Sequence, residues 1–124
     1  MSVLECEELP IGDLAFLKQL TESAGPDRVR ELVVCAPVAV EHELAAIELA
    51  IADASQSALK TACHALKGAC YSVQMDRLAC ITEKMDRLTH DMAAAAETLP
   101  ALKSICQDSV CWWQQVLTDE QYLP

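Results

Sequence analysis

Hydrophobic positions recur three and four residues apart along almost the whole chain, and runs that alternate with period two are missing. From Gly12 to about Ser23, Leu14, Phe16, Leu17 and Leu20 mark a first amphipathic helix, stopped by Ala24-Gly25-Pro26. A second helix starts at Pro26 or Asp27 and carries Leu32, Val33, Val40, Leu44, Ile47 and Ile51 to about Ala54. Pro37 falls inside it, and because the pattern resumes without turn residues, a kink is expected rather than a break. After a joint at Asp53-Ala54-Ser55, with Ser55 as N-cap, a third helix covers Ser57–Gln74. A fourth is expected from an Asp76 cap to about Thr98 on Leu78, Ile81, Met85, Leu88 and Met92, broken at Thr98-Leu99-Pro100. The last carries Leu102, Ile105, Val110, Trp113, Val116 and Leu117. Residues Met1–Pro10 are expected to form a mobile lead.

Short joints between long amphipathic segments favour antiparallel neighbours. The expected fold is all-α: an antiparallel up-down-up-down four-helix bundle with an additional N-terminal helix, in a single domain spanning residues 1–124. Composition agrees. The chain is 52% hydrophobic but only 4% aromatic, and its abundant alanine suits closely packed helices better than strands.

The third helix carries the candidate chemistry. Leu59, Ala62, Cys63, Leu66, Ala69, Cys70 and Val73 gather in one apolar stripe, and His64 falls roughly 160° from its centre at about 100° per residue. A core histidine would lie within the stripe. Lys60 stands one turn before His64, Lys67 and Gly68 one turn after it, and Tyr71 two turns after it, on or beside the same outward face. An exposed neutral imidazole is a nucleophile for phosphorus, and a neighbouring ammonium can neutralise the phosphoryl dianion as a point charge. Gly68 costs roughly 1 kcal/mol of helix propensity against alanine. It removes a side chain where a partner surface would approach.

His64-Ala65-Leu66-Lys67-Gly68-Ala69 resembles the H-x-L-K-G-[SA] signature of histidine-phosphotransfer (HPt) domains, and helical order and length extend the resemblance from about Ile11 to Val116. It implies a phosphorelay protein of two-component signal transduction. Such a bundle carries phosphate on one exposed histidine, accepts it from a receiver-domain aspartate and passes it to another receiver. Tyr71, where the family mostly has a small residue, and Gln74, where it often has glycine, depart from the pattern. Counting back from an inward Met85 puts Asp86 and Thr82 at the edge of the face towards His64. A polar family residue at the position of Asp86 hydrogen-bonds the imidazole nitrogen that is not phosphorylated. Asp86 would accept from Nδ1–H and leave Nε2 as the nucleophile. The alternative for Asp86 is a solvated charge among Glu83, Lys84 and Arg87. The site expected is thus His64, Lys67, Gly68 and Asp86, with Lys60, Ala65, Gly68 and Tyr71 meeting the partner.

Partners on this reading are the receiver domains of response regulators, a hybrid sensor kinase, or both, met by a monomer. No acidic cluster suggests Mg²⁺, so no cofactor is expected on this chain and the metal comes from the receiver. No Gly-rich nucleotide loop is present, which predicts a phosphoryl carrier without ATP-dependent kinase activity. A net charge of −10 repels nucleic acid. No apolar run approaches the ~20 residues of a membrane span, and the acidic Leu4-Glu5-Cys6-Glu7-Glu8 start is the wrong sign for a signal peptide. The expected location is cytoplasmic.

His42, between two glutamates, reads as a surface residue, and His90 as a late residue of the fourth helix. Trp112-Trp113 reads as core plus rim. The seven cysteines form no C-x-x-C pair, and Cys63, Cys70, Cys80 and Cys106 fall at apolar helical positions. Reduced core cysteines, as in a cytoplasmic protein, are expected. Two other functions stay open: a helical module that binds a receiver or kinase without carrying phosphate, and a thiol or metal sensor using Cys63 beside His64.

Overall fold

Asp13 opens the first of the long helices by accepting a hydrogen bond from the Phe16 amide at 3.0 Å. The computed structural model describes residues 3–118. The remaining residues, and the side chain of Leu117 expected on the last helix's apolar face, lie outside the described part. Six helices follow in order: α1 Val3–Glu7, α2 Leu14–Ala24, α3 Pro26–Ala52, α4 Gln56–Ser72, α5 Asp76–Arg87 and α6 Met92–Thr118. Helix α3 packs on α4, α4 on α5, α5 on α6 and α6 back on α3, closing a four-helix ring. Its consecutive members are joined by three or four residues, which suits antiparallel neighbours. Helix α2 leans on α3 and α1 on α5. No strand occurs among the described residues, and no helix there is long and apolar enough to cross a membrane.

The all-α bundle stands as expected, and α3 runs through Pro37 without a break. Its core is built from the predicted stripes: Leu17, Ile47, Leu59, Leu66, Leu78, Met85, Leu102 and Trp113 are all essentially inaccessible. Trp113 is buried and donates its indole N–H towards Met75 Sδ at 3.1 Å, while Trp112 packs edge-on against it from the rim, ring centroids 5.0 Å apart.

Three expectations need correction. The break predicted at Pro100 falls earlier, at 88–91, and Pro100 lies inside α6. Asp91 caps the new start by accepting from the Ala94 amide at 3.2 Å, and packing against α3 and α5 carries α6 through a proline that forfeits one helical hydrogen bond. His90 therefore sits in the turn before α6. The second correction concerns Met1–Pro10. Of this lead, residues 3–7 are helical, so two N-terminal helices precede the bundle rather than one. Arg77 pins the segment between α1 and α2, its amide donating to the Pro10 carbonyl at 3.0 Å and its Nε to the Leu9 carbonyl at 2.9 Å.

The third correction is covalent. Cys80, placed among the reduced core thiols, forms a disulfide with Cys6. The bond joins α1 to α5 across 74 residues of chain, and Cys6 is wholly buried. Cys63, Cys70 and Cys106 do stay free and buried, and Cys35 and Cys111 are free and exposed.

Gln74 takes a left-handed backbone, φ 57°, in the joint between α4 and α5. That conformation is one that glycine adopts without steric cost. Met75 rather than Asp76 occupies the N-cap of α5, and Asp76 is its first-turn acid.

Candidate functional site

Ser55 starts α4 by accepting from the Ala58 amide at 3.3 Å, and this cap sets which face of the helix meets solvent. Leu59, Ala62, Cys63, Leu66 and Cys70 are buried between α3 and α5, as the stripe requires. His64 is thereby turned out, with 57% of its side chain exposed. Lys60, Ala65, Gly68 and Tyr71 share this open side, and the Tyr71 ring is among the few large exposed apolar groups, at 56%. A Cβ built on Gly68 meets no other atom within 4 Å, so the glycine leaves open space above the helix.

Helix α5 supplies the second half of the site. Thr82 turns into the core, its hydroxyl donating to the Leu78 carbonyl at 2.7 Å, and is not available to His64. Asp86, one turn on, reaches across to α4. Its Oδ2 lies 3.4 Å from His64 Nε2 and accepts a hydrogen bond from Lys67 Nζ at 3.2 Å. Asp86 is therefore no solvated helix charge: its side chain is 15% exposed, and its Oδ1 is buried with no hydrogen-bond partner. Glu83 and Arg87, by contrast, pair with each other at the surface.

Two details differ from the sequence-based expectation. The nitrogen facing Asp86 is Nε2, not Nδ1. Asp86 stands on the neighbouring helix, and the distal nitrogen of the ring is the one that spans the gap. An exposed imidazole changes rotamer on the picosecond to nanosecond timescale, so either nitrogen can be presented to a partner. Lys67, expected as a free surface cation, is instead 23% exposed and tied to Asp86. This link between two helices, nineteen residues apart in sequence, was visible only as two charges on separate amphipathic edges.

The cysteine at this site is poorly suited to chemistry. Burial, with Asp86 adding to it and Lys67 opposing, pushes the Cys63 thiol up to about 12. Such a group stays protonated at neutral pH, and a protonated thiol is neither a nucleophile nor a metal ligand. Among the described residues no three His, Cys, Asp or Glu side chains gather as a metal-binding group. The other histidines lie in different settings: His42 is 77% exposed and paired with Glu43 at 3.1 Å, and His90 is exposed in its turn.

Beside Ala65 a groove of about 540 Å³ runs between α3 and α4, floored by Ala46, Ala50, Ala58 and Ala62 and rimmed by Glu43 and Asp53. An exposed histidine, a lysine one turn on and an open glycine beside a groove can take up a phosphoryl group and admit a protein surface to it.

The family model for the Hpt domain matches residues 38–110, more than half of the chain and the segment that holds α4 and α5. The chain belongs to the Hpt domain family, whose members are phosphocarrier modules of two-component signalling rather than kinases. Neither the curated proteins nor the solved structures give a match.

Proposed function

We propose that this protein is a phosphorelay intermediate: His64 accepts a phosphoryl group from the aspartyl phosphate of one receiver domain and passes it to the aspartate of another. The observation that carries the reading is the exposure of His64 beside Lys67 and Gly68, in a chain of the Hpt family. A ring nitrogen attacks phosphorus in line, and Lys67 neutralises charge on the phosphoryl oxygens. Asp86 holds the ring. Positioning and electrostatics account for most of such a transfer, so little covalent chemistry is asked of this chain. Mg²⁺ belongs to the receiver on this reading, and the chain acts as a monomeric helical unit without a cofactor or ATP-dependent activity of its own.

The receiver domains, of response regulators or of a hybrid sensor kinase, would dock over Gly68, with Lys60, Ala65 and Tyr71 around the contact. Tyr71 is a large rigid contact of the kind that discriminates between partners. We place the reaction in the cytoplasm. The Cys6–Cys80 bond is at odds with a reducing compartment, so its redox state in freshly lysed, thiol-trapped cells tests that placement.

The deciding experiment supplies a phosphorylated receiver with Mg²⁺ and follows label. Acid-labile phosphate should appear on the wild-type chain and be lost with His64→Gln. Transfer that persists undiminished in His64→Gln would mean that another residue carries the phosphate. A chain that binds receivers tightly but never takes label would instead be a docking module.

A further inference from the structure

Asp86 is an unusual neighbour for a residue that must hold a phosphoryl group. One of its oxygens faces both nitrogen groups of the site, His64 Nε2 at 3.4 Å and Lys67 Nζ at 3.2 Å. The other oxygen is buried and has no partner. A carboxylate left in that state depends on Lys67 for compensation of its charge. Lys67 is also the cation that a phosphoryl group on His64 would need. The two demands compete for one ammonium.

Resting on the phosphorelay reading of His64, we propose that Asp86 is a positioning residue that makes phosphorylated His64 a short-lived donor. While His64 is free, Asp86 keeps Lys67 beside the ring and the site is nearly neutral. Once a dianion is bound there, either Lys67 leaves the half-buried Asp86 or the phosphoryl oxygens go without it. In both cases a carboxylate faces a phosphoryl group at close range, and the phosphorylated state is raised in energy relative to the resting one. Discharge relieves it. The P–N bond breaks with its electron pair staying on the ring nitrogen, and a P–O bond forms to a receiver carboxylate or to water. The proton on the other ring nitrogen stays in place, so the ring leaves as neutral imidazole.

The test needs no receiver. Phosphoramidate transfers its phosphoryl group to histidine and releases ammonia, and decay of the acid-labile label is then followed by ³¹P NMR after removal of the donor. Asp86→Asn keeps the shape and removes the charge. Its phosphohistidine half-life should lengthen roughly fivefold to tenfold, the size expected for one partly shielded charge at this range. Asp86→Glu should restore the short half-life, a rescue that a merely structural role for Asp86 would not show. In a Lys67→Gln background Asp86→Asn should still lengthen the half-life, and by at least as much, because the carboxylate then faces the phosphoryl group without its shielding ammonium. An unchanged or shortened half-life in Asp86→Asn overturns the proposal, as does failure of His64 to take label. Receiver transfer is scored separately. A lengthened half-life with no transfer to any receiver would keep this role for Asp86 and sink the relay, whereas normal transfer with an unchanged half-life would do the reverse.

Discussion

Gly12 and Gly68 are the same residue in opposite surroundings. A Cβ at Gly12 would stand 2.5 Å from the Trp112 ring, closer than atoms pack, whereas one at Gly68 would meet nothing within 4 Å. Gly12 lets the chain after α1 close onto α6, at the end of the molecule where Arg77 and the Cys6–Cys80 bond also fasten the lead. Gly68 stabilises nothing in this chain and weakens its own helix. One glycine is explained by the fold, and the other is not.

The largest expected effect breaks the comparison on the Gly68 side. Gly68→Gln adds a side chain in open space, so the helix should hold or gain about 0.5 kcal/mol. Receiver transfer should fall by at least an order of magnitude, since even a ~1 Å misplacement of reacting groups costs about a hundredfold. Stopped-flow or rapid-quench transfer, run beside a thermal melt, reads both. If Gly68→Gln transfers at the normal rate, receivers dock elsewhere and the contrast between the two glycines loses its meaning.

Next in size is the fastening of the lead. Opening the Cys6–Cys80 bond with dithiothreitol, or replacing Cys80 by Ser, frees a 74-residue loop in the unfolded chain and should cost roughly 2–4 kcal/mol. Burial holds the Cys70 and Cys106 thiols, like that of Cys63, up at about 12. The native protein should therefore expose only Cys35 and Cys111 to a thiol reagent near neutral pH. A melting temperature indifferent to reductant would show that α1 is held by packing alone.

Gly12→Ala should rank third, at about 1–3 kcal/mol, the usual cost of forcing a methyl into occupied space. Trp112 is a rigid ring packed on Trp113, so it cannot yield as a flexible side chain would. Trp112→Leu in the same background should recover part of the loss. An unchanged melt for Gly12→Ala alone would mean that the close approach is not fastening anything.

The two regions also differ in how much of them was legible beforehand. The outward face of α4 follows from its own sequence: a 3.6-residue repeat fixes what is buried, and His64, Lys60, Gly68 and Tyr71 fall where the rest points. Local patterns of this kind need no knowledge of neighbours. Asp86 was legible as an edge position, but its sharing between Lys67 and His64 depends on how α4 and α5 are set against each other. The fastening of the lead was not legible. Cys6 and Cys80 are far apart in sequence, in segments whose own patterns give no hint of contact, and only the closed bundle brings α1 to α5. The helix boundary after α5 was misplaced for a different reason. Pro100 is the stronger breaker by composition, yet it stands mid-helix in α6, while the short Asp91 cap starts the helix.

The smallest effect concerns a residue that stands where glycine would fit better. Gln74 joins α4 to α5 in a left-handed conformation, φ 57°, which costs a side-chain-bearing residue roughly 1–2 kcal/mol. Gln74→Gly removes that strain and adds back roughly 0.5–1 kcal/mol of unfolded-state entropy, for a net gain of about 0.5 kcal/mol. Gln74→Ala keeps the strain and should give no such gain, so the pair isolates backbone conformation from the loss of the amide side chain. Differential scanning calorimetry should place Gln74→Gly a degree or more above Gln74→Ala, the rough scale of half a kcal/mol in a chain this size. Gln74 is exposed, and the helices on either side carry His64 and Asp86. Relief of local strain should leave their separation alone, so the rate of receiver transfer should not change. If the two variants melt together, the joint is not strained at Gln74. If Gln74→Gly slows transfer, the stiffness of this joint is part of what holds the two halves of the site in register.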